Sequence, residues 1–464
     1  MKACPEPVVV QQPDGSDVTI YLKGDEYLHW NEDAAGFAVV KSVDGQWWVY
    51  AREEMGRLVP TSYIVGRIEP LSVGLSKPDI AGMRAAVQQR PLFQKDAGAQ
   101  KAPSAGTMKN LVVLVNFSDL TITRSTAAYD SLFNTIGYTF DGAAGSVKDY
   151  YNEISYGTFA VQSTVPAPVT LANGYAYYGA NDAYGNDLRP RQMVQQALAA
   201  LEARGFNFAT MDGNGDGWVD GLTIIHAGGG EEYSGNNSSY IWSHQWQMTS
   251  TVTYDGVSMR TYHTEPARRG WDSSPSTQGI TRIGVICHET GHFIGLPDLY
   301  DYGYDSEGAG NFCLMAGGSW NGSYGTKPAH MSAWCKSDLG WVTPTLINGS
   351  GYFTLSQAET DPQSYKLRGP FPSTQYFLAE NRQGVGFDSG LPGTQRGMLI
   401  WHVDETMSNN NDQTHYLVDL EEASGTQHLE LNTNGGDDAD YYRLDNNTTF
   451  NATTTPNNLS YFGA

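Results

Sequence analysis

Residues 288–298 read His-Glu-Thr-Gly-His-Phe-Ile-Gly-Leu-Pro-Asp, and no other stretch restricts the fold so tightly. On an α-helix, positions i and i+4 share a face, so His288 and His292 can reach one metal ion with Glu289 beside them. A zinc site that keeps a position open for water or substrate needs a third protein ligand. Gly295 lets the chain leave the helix sharply, and Asp298 sits six residues after His292, where the turned chain can return that ligand. The bland alternative is a surface helix with two chance histidines. It loses ground once a glycine and a ligand-type residue fall at these offsets.

The flanking sequence divides into three regions. Within 1–105, Val8–Val10, Val18–Leu22, Phe37–Val40 and Trp47–Ala51 read as short strands, with Asp14-Gly15 and Asp44-Gly45 as hairpin turns. A helix is expected near Ile80–Gln88, and the Ala-, Gly- and Lys-rich stretch Lys95–Thr107 reads as a linker. Over 106–345 the character changes. Leu111–Val115 and Leu222–His226 are continuous apolar runs, as in strands buried on both faces. Gly145–Tyr156, Leu188–Arg204 and Gly279–Phe293 read as helices. Over 346–464 the pattern is β again, with strands expected at Tyr352–Leu355, Gln375–Glu380 and Gly397–Val403. The fold class is therefore α+β: an α/β central domain between a β-rich N-terminal domain and a β-rich C-terminal region.

Lys+Arg of 28 against Asp+Glu of 50 gives a formal net charge of −22 over 464 residues. That argues against nucleic acid and anionic membrane surfaces as partners. No stretch approaches the roughly 20 apolar residues of a membrane helix. The start, Met1-Lys2-Ala3-Cys4-Pro5, is not followed by an apolar signal core, so the chain is either cytoplasmic or lacks an export signal already removed. Cys4, Cys287, Cys313 and Cys335 have no CxxC spacing and read as buried or singly paired thiols.

Acidity can also mean calcium. Asp212, Asn214, Asp216, Trp218 and Asp220 fall at positions 1, 3, 5, 7 and 9 of an EF-hand-type loop with Gly217 at position 6. Position 12 is Thr223 in an expected strand, so any ion would need carboxylates from elsewhere, such as Glu231 or Glu232; a tight Asx-rich turn without an ion is the other reading. Asp437, Asp438 and Asp440 form a weaker calcium candidate, since an acidic surface loop explains them equally well. His226, His244 and His402 read as hydrogen-bonded core or strand histidines.

The spacing HExxHxxGxxD resembles the long consensus of metzincin peptidases, with Asp in place of the commoner third His. Phe312–Trp320 resembles the Met-turn that floors such a site, with Met315 seventeen residues after Asp298. More specifically, Gly284–Tyr300, the Met-turn, His330–Trp341, Phe377–Arg382 and Gly397–Asp404 resemble the immune inhibitor A family of bacterial metallopeptidases, and Gly24–Trp30 resembles its pro-segments. The resemblance implies zinc held by His288, His292 and Asp298, with Glu289 as general base and Met315 in a structural role. It implies a metzincin-like catalytic domain behind a pro-domain, secretion, and protein or peptide substrates cut by a zinc-activated water, with calcium as a stabilising ion. A monomer is expected. Tyr300, Tyr302, Tyr304 and Tyr324 are near enough in sequence to assist an oxyanion. The rival reading is a calcium-stabilised adhesin or binding module that keeps the peptidase fold without turnover.

Overall fold

The computed structural model describes residues 1–88, 102–182, 185–234, 239–270, 279–369 and 372–461. Lys95–Lys101 of the expected linker lies outside the described residues; its remainder leads into the first central strand.

The N-terminal region is a six-stranded antiparallel meander. Its strands are β1 (Val8–Gln11), β2 (Asp17–Gly24), β3 (His29–Glu32), β4 (Ala38–Lys41), β5 (Trp48–Glu54) and β6 (Arg57–Ile64). Gly15 and Gly45 adopt φ of 86° and 72° in the expected turns, a conformation that costs glycine little. The sheet closes over a small core of its own, with Ile20, Val39, Trp48 and Tyr50 at its centre. Helix α1 (Ile80–Gln88) follows.

The central region mixes strands and helices in the order β7 (Gly106–Asn116), α2 (Thr126–Asn134), α3 (Val147–Ile154), β8 (Phe159–Thr164), β9 (Val169–Thr170), α4 (Tyr175–Tyr178), α5 (Pro190–Glu202), β10 (Gly221–His226), α6 (Glu231–Ser234), β11 (His244–Tyr254), β12 (Val257–Pro266), α7 (Ile283–Phe293) and α8 (Ala333–Asp338). Strands run β11-β12-β10-β7-β8 across the sheet, with β9 also on β7. All pairs are parallel except β11–β12 at one edge. Every residue of β10 is buried, as its continuous apolar run requires when helices cover both faces. Helix α7 begins four residues later than the sequence suggests, because Ile280 bridges to Arg268 before the helix can start.

The C-terminal sheet has the order β13 (Thr345–Ile347), β14 (Tyr365–Leu367), β15 (Gln375–Arg382), β16 (Gly397–Asp404) and β17 (Val418–Leu420). Tyr352–Leu355, expected as a strand, joins no ladder: Tyr352, Phe353 and Thr354 are exposed, with no neighbouring strand to take their amides. Apolar alternation alone cannot supply a partner.

One hydrophobic core runs from Ala102 to Tyr441, taking in both the central and the C-terminal sheets. A buried charge network reinforces that junction. The guanidinium of Arg382, without solvent exposure, donates to Asp388 Oδ2 and Oδ1 at 2.6 and 2.7 Å and to Glu380 Oε1 at 3.1 Å. Asp388 Oδ1 also accepts from the amide of His330, whose Nε2 lies 2.9 Å from Glu153 Oε1 on α3. Thus β15 is tied through one arginine to the segment before α8. Replacing Arg382 with Ala would leave Asp388 and Glu380 buried without their cation, so a loss of about 3–5 kcal/mol is expected in chemical denaturation.

Candidate metal centre

Helix α7 presents almost no face to solvent; among its residues only His292 is not fully buried. Two glycines allow this burial. A Cβ on Gly284 would stand 1.9 Å from the carbonyl oxygen of Ser319, and one on Gly291 would stand 2.5 Å from Met315 Sδ. Met315 itself is completely buried under the helix. Behind the helix, Tyr151 of α3 donates to the Cys287 carbonyl at 2.6 Å, a bond that fixes α3 against α7.

The chain leaves α7 through Gly295, with φ of 107°, and its amide bonds back to the His292 carbonyl at 3.0 Å. This reversal returns Asp298 to the helix. His288 Nε2 lies 3.0 Å and His292 Nε2 3.2 Å from Asp298 Oδ1. Zinc bound at about 2.1 Å to tetrahedral ligands would separate them by about 3.4 Å, so the three atoms stand close to the edges of such a site.

The proton assignment supports the same fit. His288 Nδ1 donates to the Leu314 carbonyl at 2.9 Å, and His292 Nδ1 donates to the Leu296 carbonyl at 2.9 Å. Each ring therefore turns a lone pair on Nε2 toward Asp298. His288 Nε2 and Asp298 Oδ1 are buried and make no hydrogen bond. Lone pairs facing one another at this distance call for a cation between them. The other carboxylate oxygen, Oδ2, accepts from Tyr302 at 2.6 Å, which aims Oδ1 at the histidines. Glu289 is fully buried, and neither of its oxygens makes a hydrogen bond. The pattern of the residues had suggested four tyrosines near the site. Tyr302 orients the third ligand, Tyr300 stacks near His288 at 6.3 Å with its hydroxyl unpartnered, and Tyr304 bonds Asp25 at 3.1 Å. Tyr324 packs instead beside Tyr233 at 6.2 Å.

The N-terminal region lies against this centre. The Met1 carbonyl accepts from Trp242 Nε1 at 2.8 Å, and the Lys2 carbonyl from Trp320 Nε1 at 3.1 Å. The Met1 amino group sits 3.7 Å from Glu289 Oε1 and also pairs with Glu26. Cys4 donates its amide to the Glu232 carbonyl at 3.0 Å and packs among Tyr233, Val285 and Trp320, apart from the His288–His292–Asp298 grouping. All four cysteines are free and buried. His29 stacks on Trp242 at 4.5 Å and approaches Glu231 at 3.3 Å. Arg84 of α1 clamps Asp25 at 2.7 and 3.1 Å and donates to the Tyr302 carbonyl at 3.0 Å. Tyr302 is thus held from both sides, by Asp298 through its hydroxyl and by α1 through its backbone.

The remaining candidates fall elsewhere. In the Asp212–Asp220 loop, Asp212 accepts from the amides of Gly215, Asp216 and Gly217 at 2.7, 3.2 and 2.9 Å. Asn214 accepts from Asp216, Asp216 from Trp218, and Asp220 from Gly213 and Lys109. Glu231 and Glu232 do not join this loop: Asn181 donates to Glu231 at 3.0 Å, and Ser243 donates to Glu232 at 2.6 Å. The acidic trio also splits. Asp438 accepts the amides of Thr394 and Gln395, whereas Asp440 turns inward to meet Glu422 and His428. His226, His244 and His402 are hydrogen-bonded core histidines, and burial pushes each down to about 4. Neither the Tyr302 bond nor the Glu422–His428–Asp440 grouping was anticipated, since both join residues with no motif spacing.

Comparison with known proteins agrees with this centre. The profile of the immune inhibitor A peptidase M6 catalytic domain matches residues 97–342. The chain is 33% identical over 208 residues to immune inhibitor A of Bacillus thuringiensis subsp. alesti, covering 40% of this chain and 30% of that protein. It is 30% identical over 316 residues to the pre-pro-metalloprotease PrtV of Vibrio cholerae serotype O1, covering 57% of this chain and 34% of that protein. The chain thus spans about a third of the length of these relatives. With the matched span enclosing both histidines, Asp298 and Met315, the chain belongs to the immune inhibitor A peptidase family, M6.

Proposed function

We propose that this chain is a secreted, metzincin-like zinc endopeptidase, held latent by its N-terminal region and stabilised by calcium. The observation that carries the reading is the meeting of His288, His292 and Asp298 with both imidazoles locked to present Nε2. In this reading residues 1–105 are a pro-domain, 106–345 the catalytic domain and 346–464 a C-terminal region packed on it.

His288, His292 and Asp298 would hold the zinc, which when bound acidifies water and polarises a peptide carbonyl. The protein's own residues supply the rest. Glu289, with no competing hydrogen bond, takes the proton of the attacking water and returns it to the leaving amine. Tyr302 keeps Asp298 aimed, so the ligand set does not reorganise as substrate enters. Burial of Met315 beneath α7 fixes the height of both histidines relative to the returning loop. Substrates would be extended protein or peptide segments, in the groove that the Met1–Cys4 segment fills.

Glu289→Gln is expected to retain zinc while losing about 10²–10⁴ in turnover, as for removal of a general base. Asp298→Ala is expected to lose the metal as well. Metal analysis beside peptide turnover separates the two, and full activity in zinc-loaded Glu289→Gln would reject the assignment.

Latency is supported by the Met1 and Lys2 carbonyls bonded to Trp242 and Trp320 beside the centre and by the Arg84 clamp on Asp25 and Tyr302. A tethered module has a high effective concentration at the cleft, which a cut in the tether abolishes. Cleavage within Lys95–Thr107, followed by separation of the fragments, is therefore expected to raise turnover of a fluorogenic peptide. Equal rates before and after would make the N-terminal region a permanent part of the enzyme.

Calcium at Asp212–Asp220 is supported by the oxygen pattern and by amide bonds that already order the loop. Chelation of calcium should lower the melting temperature, because the gathered carboxylates repel once the ion leaves. Coincident melting curves with and without calcium would leave only a self-capped turn.

A further inference from the structure

The metal-ligating residues of α7 are not the only convergent set among the described residues. Glu422, His428 and Asp440 each offer a ligand atom within 4.8 Å of the others. Glu422 lies two residues past β17, His428 in the following turn, and Asp440 two residues before Tyr442, which bridges back to Met398 on β16. The three therefore sit on one excursion of the chain that leaves the sheet and returns to it.

The set is ordered from behind. Glu422 Oε2 and Oε1 accept the amides of His428 and Leu429 at 2.8 and 2.7 Å. Asp440 Oδ2 accepts the Asp437 amide at 2.7 Å. His428 Nδ1 is held in place by Asp437 Oδ2 at 3.3 Å, Asn434 Nδ2 at 3.3 Å and Thr426 Oγ1 at 3.4 Å. What remains is Asp440 Oδ1. Asp440 has no solvent exposure, and this oxygen has no hydrogen-bond donor. No Lys or Arg pairs with Glu422 or Asp440 among the described residues, so two buried carboxylates stand together without a cation. An orphaned buried oxygen beside a second carboxylate and an imidazole is costly unless a positive ion joins them.

We propose that Glu422, His428 and Asp440 form a second, structural divalent-metal site of the zinc class. The imidazole selects the metal. Calcium takes six to eight oxygens in an open shell, whereas two carboxylates and an imidazole suit a small ion that accepts nitrogen. The excursion that carries these ligands also supports the catalytic frame. The Leu429 carbonyl accepts from Glu307 and the Gly435 carbonyl from Asn311, both at 2.8 Å. Glu307 and Asn311 lie on the segment between Asp298 and Met315. A metal here would close the excursion and hold that segment from outside, without touching the cleft.

The test counts zinc in the full chain after loading and passage into metal-free buffer. Two zinc ions per chain are expected, falling to one in His288→Ala. Asp440→Asn and His428→Ala should each also fall to one, and each combined with His288→Ala should hold none. His428 is the safer variant, because its side chain is 30% exposed. Zinc should raise the melting temperature of His288→Ala, an effect that Asp440→Asn or His428→Ala abolishes in that background. One zinc per wild-type chain, unchanged stoichiometry in folded His428→Ala, or stabilisation of His288→Ala by calcium but not zinc would each overturn the proposal.

Discussion

A helix that carries two imidazoles and a carboxylate is also the most deeply buried helix of the central region, and this conflict governs much of the surrounding structure. Every polar atom on α7 must be satisfied by neighbours rather than by water. The Leu314 and Leu296 carbonyls serve the two histidines, and these come from the turn before Met315 and the turn after α7. Close approach on the other side needs glycine at 284 and 291, where any side chain would enter the Ser319 carbonyl or Met315 sulfur. The turn around Met315 therefore serves three purposes. It supplies a hydrogen-bond acceptor to His288, a packing surface to the helix, and, through the Met315 carbonyl, an anchor for the Leu299 amide at 2.8 Å.

The C-terminal sheet extends this frame. Its strands share one hydrophobic core with the central sheet, and the Arg382–Asp388–His330–Glu153 chain crosses the junction. Buried ion pairs contribute little net stability compared with apolar packing, but they tolerate few alternative geometries. Here the arginine fixes where β15 meets the segment running from the Met-turn into α8. Two of the stretches that resemble family motifs outside the helix, Phe377–Arg382 and His330–Trp341, meet at this network and not at the His288–His292–Asp298 grouping. Their chemistry is structural.

The N-terminal sheet is attached differently. It has its own small core and reaches the central region through polar contacts, Arg84 on Asp25 and Tyr302 and the Met1–Cys4 backbone against Trp242, Trp320 and Glu232, and through small apolar clusters separate from the common core, such as Cys4 with Tyr233, Val285 and Trp320, and Leu22 with Trp242. An interface of this kind separates at lower cost than a shared apolar core. That contrast between the two flanking sheets follows from the residues alone, since the C-terminal strands put Leu399, Trp401 and Val403 into the common core.

Local pattern was enough for much of this protein. The i, i+4 histidines with Gly295 and Asp298 are enough to specify a helix, a reversal and three side chains able to meet, because helix periodicity and a positive-φ glycine act over a few residues. Buried runs such as Leu111–Val115 and Leu222–His226 likewise declared themselves as strands of a covered sheet. Tyr352–Leu355 shows the limit: a strand exists only when another lies beside it, and alternation in one segment carries no information about a partner. His29–Glu32 and Arg57–Ile64 are the converse, strands made by their neighbours. The same holds for the polar groups. Tyr302 reaches Asp298, Arg382 reaches Asp388, and Asp440 meets Glu422 and His428 because the fold removes water around them and forces each polar atom to find another. Sequence determined which side chains could bind metal within one helix and its turn. Tertiary structure decided which distant groups orient them, since desolvation is a property of the packed whole.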